Sequence, residues 1–535
     1  MKNDKNSSIP RYNLRRIKGR NYYTKIHNID KIKKPEVMRY NLRTRKPTQY
    51  GTTRNIMKHP LKYNTINTNK NNKGGKNNVN NTDDVDDVDN VSNTEHFSWD
   101  NFNVYESANE ITNISNNDKR DWVSATGVKN YLMREPLIDW FDLHYLDKGY
   151  NENLSLHQPN IPNVSQKINL FLIEKNKKEK ENNINDEINK QHTLFEMGIK
   201  FEEEVIKYLK NKYCGNVKTV VTANSSNEHL DELTLKYMMD GVPIIEQAAM
   251  CNLRNKTYGI ADILIRSDWI NRLFEHPILS EEEEHIKANN LNGNYHYRVI
   301  DIKWTTMYLC SNGKTLRNSH RFPAYKGQLV IYNAALGNMQ GYTPDEAYIL
   351  SKSWNLCGGQ NEGFNCFSRL GHIDFMNFDN KYIRETHNAI KWIRDVRYNG
   401  YKWTCNTPSV PELYPNMCNR YDAPYHKIKK DLADKLKEIT QIWMVGVKHR
   451  KIAHNNNIYS WDDPKCNSKT MGINGKKIGP TIDKIIQINR HPHKLIEPPI
   501  IKNNIYDWKR KSELDFYVDF ESVNGCLYNK DINLT

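Results

Sequence analysis

Between His192 and Tyr213 the apolar residues Leu194, Phe195, Ile199, Val205, Ile206 and Leu209 recur at close to helical spacing. That period predicts an amphipathic helix. The pattern then changes. Pro243–Met250, Gly259–Ile265 and Arg298–Trp304 are short runs rich in Ile, Leu, Val and Ala, which suits buried strands. A polar insertion at 268–296, including Glu281-Glu-Glu-Glu284, separates the last two. Pro323 to Leu336 reads as a helix stopped by Gly337, and Glu346–Leu350 as a further strand. Helix, three strands, helix, strand predicts an α/β core, a mixed sheet flanked by helices.

The flanks are less regular. Ser124-Ala-Thr126 predicts a cap for a helix carrying Val128, Tyr131 and Leu132, with Pro136 interrupting it. Residues 174–191 are rich in Lys, Glu and Asn and read as an exposed helix or linker. Downstream, 381–397 predicts a helix with Ile383, Ile390, Trp392 and Ile393; Pro408, Pro411 and Pro415 mark a loop, and 428–455 holds one or two helices. Within it, 439–458 is faintly similar to a helix-hairpin-helix, but a single glycine, Gly446, favours a plain helical hairpin. Phe516–Glu521 predicts a strand. Five regions follow: a disordered arm at 1–118, a helical segment at 119–190, the core at 191–380, a helical accessory region at 381–510 and a strand-like end at 511–535.

Charge adds a partner class. The 535 residues carry a formal net charge of +15, and the first 50 hold 15 Lys/Arg against 3 Asp/Glu. A basic arm on a near-neutral body predicts nonspecific contact with nucleic acid. Its repeated Arg11-Tyr-Asn-Leu-Arg15 and Arg39-Tyr-Asn-Leu-Arg43 suit phosphates and exposed bases, or else a solvated tail. The acidic run Asp83–Asp89 reads as a spacer. Nine scattered Cys without a C-x-x-C pair point to reduced thiols. No apolar run approaches the ~20 residues of a membrane span, and the N-terminus has no apolar h-region, so no secretory signal is expected. An intracellular protein is expected, in cytoplasm, nucleus or virion.

The strands carry the chemistry. Asp262 and Asp301 sit in apolar runs where an unpaired carboxylate is costly. Alternation along a strand points Asp301 and Lys303 the same way, with Ile302 packed behind. Two strands can bring two carboxylates and an ammonium to one point, a site for a hard cation with a lysine beside it. Gln328 and Tyr332 lie four apart on the predicted helix and share a face, while Lys326 lies well round it and reads as a surface lysine.

Taken together, Gly198-x-x-Phe201-Glu202, Gly259-x-x-Asp262, Asp301-x-Lys303 and Gln328-x-x-x-Tyr332 resemble the RecB-like branch of the PD-(D/E)XK nuclease superfamily, over about 190–355. The resemblance implies a restriction-endonuclease-like fold and a metal-dependent deoxyribonuclease, with linear ends and exonucleolytic action favoured. It implies that Asp262, Asp301 and the Ile302 carbonyl hold Mg²⁺ or Mn²⁺, with Glu202 a further ligand directly or through water. Lys303 would activate water or stabilise charge, and Gln328 and Tyr332 would lie near the cut DNA. Some relatives add an iron–sulfur cluster on four Cys; Cys357 and Cys366 lack companions, so none is expected. Asp519-Phe-Glu521 resembles the first motif of a DEDD-type exonuclease whose further acids do not follow, so no activity is expected there. The Asn/Lys/Ile-rich composition is similar to that of proteins of large DNA viruses of protists, which places the expected role in repair, recombination or genome processing. The competing readings are a noncatalytic nucleic-acid-binding or packaging protein that keeps the fold, and a nuclease directed at RNA.

Overall fold

A computed structural model describes residues 96–106, 119–145, 186–222, 229–357 and 361–491. The basic repeats, the acidic run and the Asp519/Glu521 strand lie outside them. Along the chain come β1 (Val123–Ser124), α1 (Asp186–Lys212), β2 (Val217–Thr219), α2 (Leu230–Met239), β3 (Ile244–Asn252), β4 (Thr257–Arg266), β5 (Tyr297–Leu309) and α3 (Phe322–Gln340). They are followed by β6 (Glu346–Leu356), β7 (Glu362–Gly363), β8 (Gly371–Asp374), α4 (Lys381–Asn399), α5 (His426–Leu436), α6 (Val447–Asn455) and α7 (Ile478–Arg490).

The eight strands form one open mixed sheet in the order β2-β3-β4-β5-β6-β7, with β1 beside β4 and β8 beside β6. The strands β3, β4 and β5 run antiparallel in turn, and β6 returns parallel to β5 after the α3 crossover. A parallel neighbour requires such a crossover, so α3 covers one face. There Val330, Leu329 and Ile331 pack with Val299, Ile349, Ile383 and Ile390. The other face carries Ile263, Ile265, Ile300, Ile302 and Leu350 against Val205 and Leu209 of α1. Ile302 thus packs behind the face that carries its neighbours. A third, smaller core gathers Ile439, Ile442, Val445, Ala453, Ile482 and Ile486.

Several expectations change. Order begins before Trp122: Phe102 is buried in the main core, and Asn103 accepts hydrogen bonds from Asn252 and Asn338. Ser124 makes no helix cap; it is a strand residue paired with Tyr258, followed by a 3-10 turn at Ala125–Val128. Pro136 opens a helical turn, Pro136–Trp140, where its missing N–H costs nothing. The α3 helix passes through Gly337 and ends at Gly341, whose φ of 72° suits a left-handed cap. Gly337 is small for another reason: a Cβ there would sit 2.1 Å from the Thr343 hydroxyl. The α4 helix is part of the main core rather than an accessory, and 439–458 holds one helix, α6, after a 3-10 turn. No helix among the described residues is long and apolar enough to cross a membrane.

Candidate metal and nucleic-acid site

The sheet opens where the carboxylates lie. The β4–β5 ladder pairs Ile263 with Ile300 and stops there; the next positions in register are Asp262 and Asp301. Beyond the break β4 turns to a different neighbour, with Tyr258 paired to Ser124 of β1. Across the gap the Asp262 carboxylate takes the place of a backbone acceptor: the Ile302 N–H donates to its Oδ2 at 2.7 Å. The β3–β4 ladder breaks at the same level. Glu246 pairs with Ile263 and Ala248 with Ala261, and the intervening Gln247 has a φ of 49°. Positive φ is uncommon for a residue with a Cβ and is tolerated where the surroundings fix it.

Asp301 and Lys303 lie on one face, as alternation predicts, and Lys303 Nζ stands 2.5 Å from Asp301 Oδ2. Asp301 is fully buried, whereas the Lys303 side chain retains 18% exposure. Neither Asp301 oxygen accepts a well-directed hydrogen bond. Burial pushes the Asp301 carboxyl above the usual range, Lys303 opposes this and Asp262 adds to it, which shows that the two carboxylates share one electrostatic locus. Burial alone would lower the Lys303 ammonium, but Asp301 and Asp262 outweigh it and hold it above its ordinary value.

From α3, Tyr332 joins the same cluster. Its phenol is raised by burial and then by Asp301 and Asp262, and the Gln328 side-chain amide donates to its hydroxyl at 2.8 Å. The ring lies against β4 because Gly259 leaves room: a Cβ there would stand 2.4 Å from Tyr332 Cε1. Tyr325, two α3 turns before Tyr332, faces Lys303 Nζ at 5.4 Å from its ring centroid. Lys326 departs from expectation. It is fully buried, donating to Asp379 Oδ1 at 2.6 Å, Asn318 Oδ1 at 2.6 Å and the Leu316 carbonyl at 2.8 Å. It pins α3 to the start of α4 and does not face solvent.

Glu202 lies on the inward side of α1, while Glu203 and Glu204 are exposed. Its Oε1 accepts the Gln247 amide at 2.5 Å. Glu202 therefore reaches the β3 residue opposite Asp262 rather than joining the two aspartates, and no group of three or more His, Cys, Asp or Glu side chains in metal-holding geometry occurs among the described residues. The donor set nevertheless fits Mg²⁺, which takes one or two carboxylates and keeps the rest of its shell as water. The undonated, buried Asp301 oxygens are what such an ion would satisfy.

Nothing matches. No family model, no curated protein and no solved structure matches this chain. What the site can do therefore rests on its own residues.

Sequence reasoning missed Gln247, Tyr325 and the space-making role of Gly259. For Gln247 a signal existed: Glu246-Gln247 is a polar pair inside an apolar strand. Glu246 is spent structurally, accepting from Lys210 at 2.6 Å and from the Thr219 hydroxyl.

Proposed function

We propose that this protein is a Mg²⁺- or Mn²⁺-dependent deoxyribonuclease that hydrolyses phosphodiester bonds, acting from ends. The observation that carries the reading is the meeting of Asp262, Asp301 and Lys303 at the break between β4 and β5, with a buried carboxylate whose oxygens accept no well-directed hydrogen bond. Asp262 and Asp301 would hold the ion, with the Ile302 carbonyl and, through water, Glu202 as further donors. When bound, such a metal lowers the pKa of a water and offsets charge on the scissile phosphate. Lys303, held as an ammonium, stabilises charge on the phosphate oxygens in the transition state. Tyr332, oriented by Gln328, borders the same locus and suits contact with the substrate strand.

Incubation with end-labelled linear and covalently closed circular DNA tests this. Linear DNA is degraded with Mg²⁺ or Mn²⁺, circular DNA is spared, and EDTA stops the reaction. Metal-independent cutting, or none with either ion, would remove the proposal; preference for an RNA panel would redirect it. The first 95 residues add affinity through counterion release, and their removal flattens the salt dependence of DNA binding. An unchanged salt slope refutes that role. Deletion must stop short of Phe102, which belongs to the core.

One observation favours the noncatalytic reading: a 2.5 Å Lys303–Asp301 pair is also an ordinary way to neutralise a buried carboxylate. Under that reading the protein binds DNA and cuts none.

A further inference from the structure

Beside α1 lies a cavity of about 480 Å³ that neither Asp262, Asp301, Lys303, Gln328 nor Tyr332 lines. Four of its twelve lining residues are aromatic, Phe201, Tyr208, Phe274 and Phe367, with Lys212 and Arg272 among the polar groups. Tyr208 and Phe367 have ring centroids 4.9 Å apart at 35°, and Phe367 and Phe274 are 5.8 Å apart. Tyr208 is 43% exposed, and Phe364, three residues before Phe367, is 78% exposed. Large rings left in water beside a cavity call for an occupant more than scattered apolar residues do.

The cavity neighbours the strand that carries Lys303. Phe201 lines it and also meets Trp304, the residue after Lys303, with centroids 5.4 Å apart. Lys352 Nζ lies 4.1 Å from the Trp304 ring centroid. Cations flank the far end as well: Lys212 Nζ stands 5.3 Å from the Tyr208 centroid, and Arg272 lies over Trp269 at 4.8 Å. Two acids line the cavity. Glu204 is paired with Lys207 at 3.2 Å, and Glu275 accepts the Asn365 amide at 2.8 Å. Aromatic faces interleaved with cations are the chemistry of sequence-tolerant binding to unpaired nucleic acid, where bases stack and lysines follow the backbone. A double helix hides its base faces, so it has nothing to offer this cavity.

We infer that the cavity walled by Tyr208 and Phe367 takes unpaired nucleobases of a strand whose backbone passes Trp304 to reach Lys303. The inference rests on the nuclease reading and names the form of nucleic acid that the site receives. The test is binding of full-length protein carrying Asp301→Asn, so that nothing is cut, to fluorescein-labelled oligothymidylate and to a blunt duplex of equal length. Tyr208→Ala weakens oligothymidylate binding by about ten-fold, the loss of roughly one stacked base, and leaves duplex binding unchanged. Tyr208→Phe, which keeps the ring, retains the affinity. With 5-iododeoxyuridine in the oligonucleotide, crosslinks map to Tyr208 or Phe367. Full affinity of Tyr208→Ala, or crosslinks elsewhere, overturns the cavity's role while nucleic-acid binding stands. Failure of the Asp301→Asn protein to bind either probe overturns both readings at once.

Discussion

Asp301→Asn lowers DNA cleavage by about 100- to 1000-fold or more while DNA binding is retained. The substitution keeps the shape of a fully buried side chain and removes the charge that faces Lys303 and shares its locus with Asp262. Lys303→Met has a comparable effect on cleavage, and the double variant is hardly worse than either single one, because groups acting as a unit are not additive. The two differ in stability. Removing Lys303 strands a carboxylate with no exposure, whereas removing the Asp301 charge leaves a lysine side chain that is partly exposed. Lys303→Met is therefore the less stable variant in urea. Parental cleavage rates in either variant would sink the catalytic assignment, and a DNA-binding loss equal to the cleavage loss would reassign both residues to substrate contact.

Lys326→Met destabilises the fold by about 3–5 kcal/mol, the cost of leaving a buried partner uncompensated. All three ammonium donors are used, on Asp379, Asn318 and the Leu316 carbonyl, and both Lys326 and Asp379 are fully buried. Burial pushes the lysine down and the aspartate up from their ordinary values, so each is costly alone, and each opposes the shift of the other. Asp379→Asn in the Lys326→Met background recovers a large part of the loss, since the stranded charge is then gone. Urea unfolding of the two single variants and the double one measures the coupling. A Lys326→Met midpoint equal to that of the parent would return this residue to the surface role that its polarity suggests.

The charged positions of the site were legible because of where they stand. An aspartate between isoleucines in a buried strand is expensive enough that its presence signals a use, and strand alternation alone puts Asp301 and Lys303 on one face with Ile302 behind. The i, i+4 spacing put Gln328 and Tyr332 on one face, and the hydrogen bond between them is a finding of the structure. The order of the main helices and strands followed from the change from helical apolar spacing to short continuous apolar runs. By contrast, β2 and α2 went unread.

What local pattern cannot carry is which groups meet across the sheet. The end of the β4–β5 ladder, the φ of Gln247 and the capture of Glu202 by that residue depend on three strands and a helix that are distant in sequence. Lys326 reads as solvent-facing until Asp379, 53 residues on, is folded against it. Gly337 resembles a stop signal, yet it is a contact, because Thr343 packs where its side chain would be. The sequence by itself determined the elements, the faces and the costly charges. Only the tertiary structure decided their partners, since hydrogen bonds and ion pairs are set by distances between elements that no periodicity records.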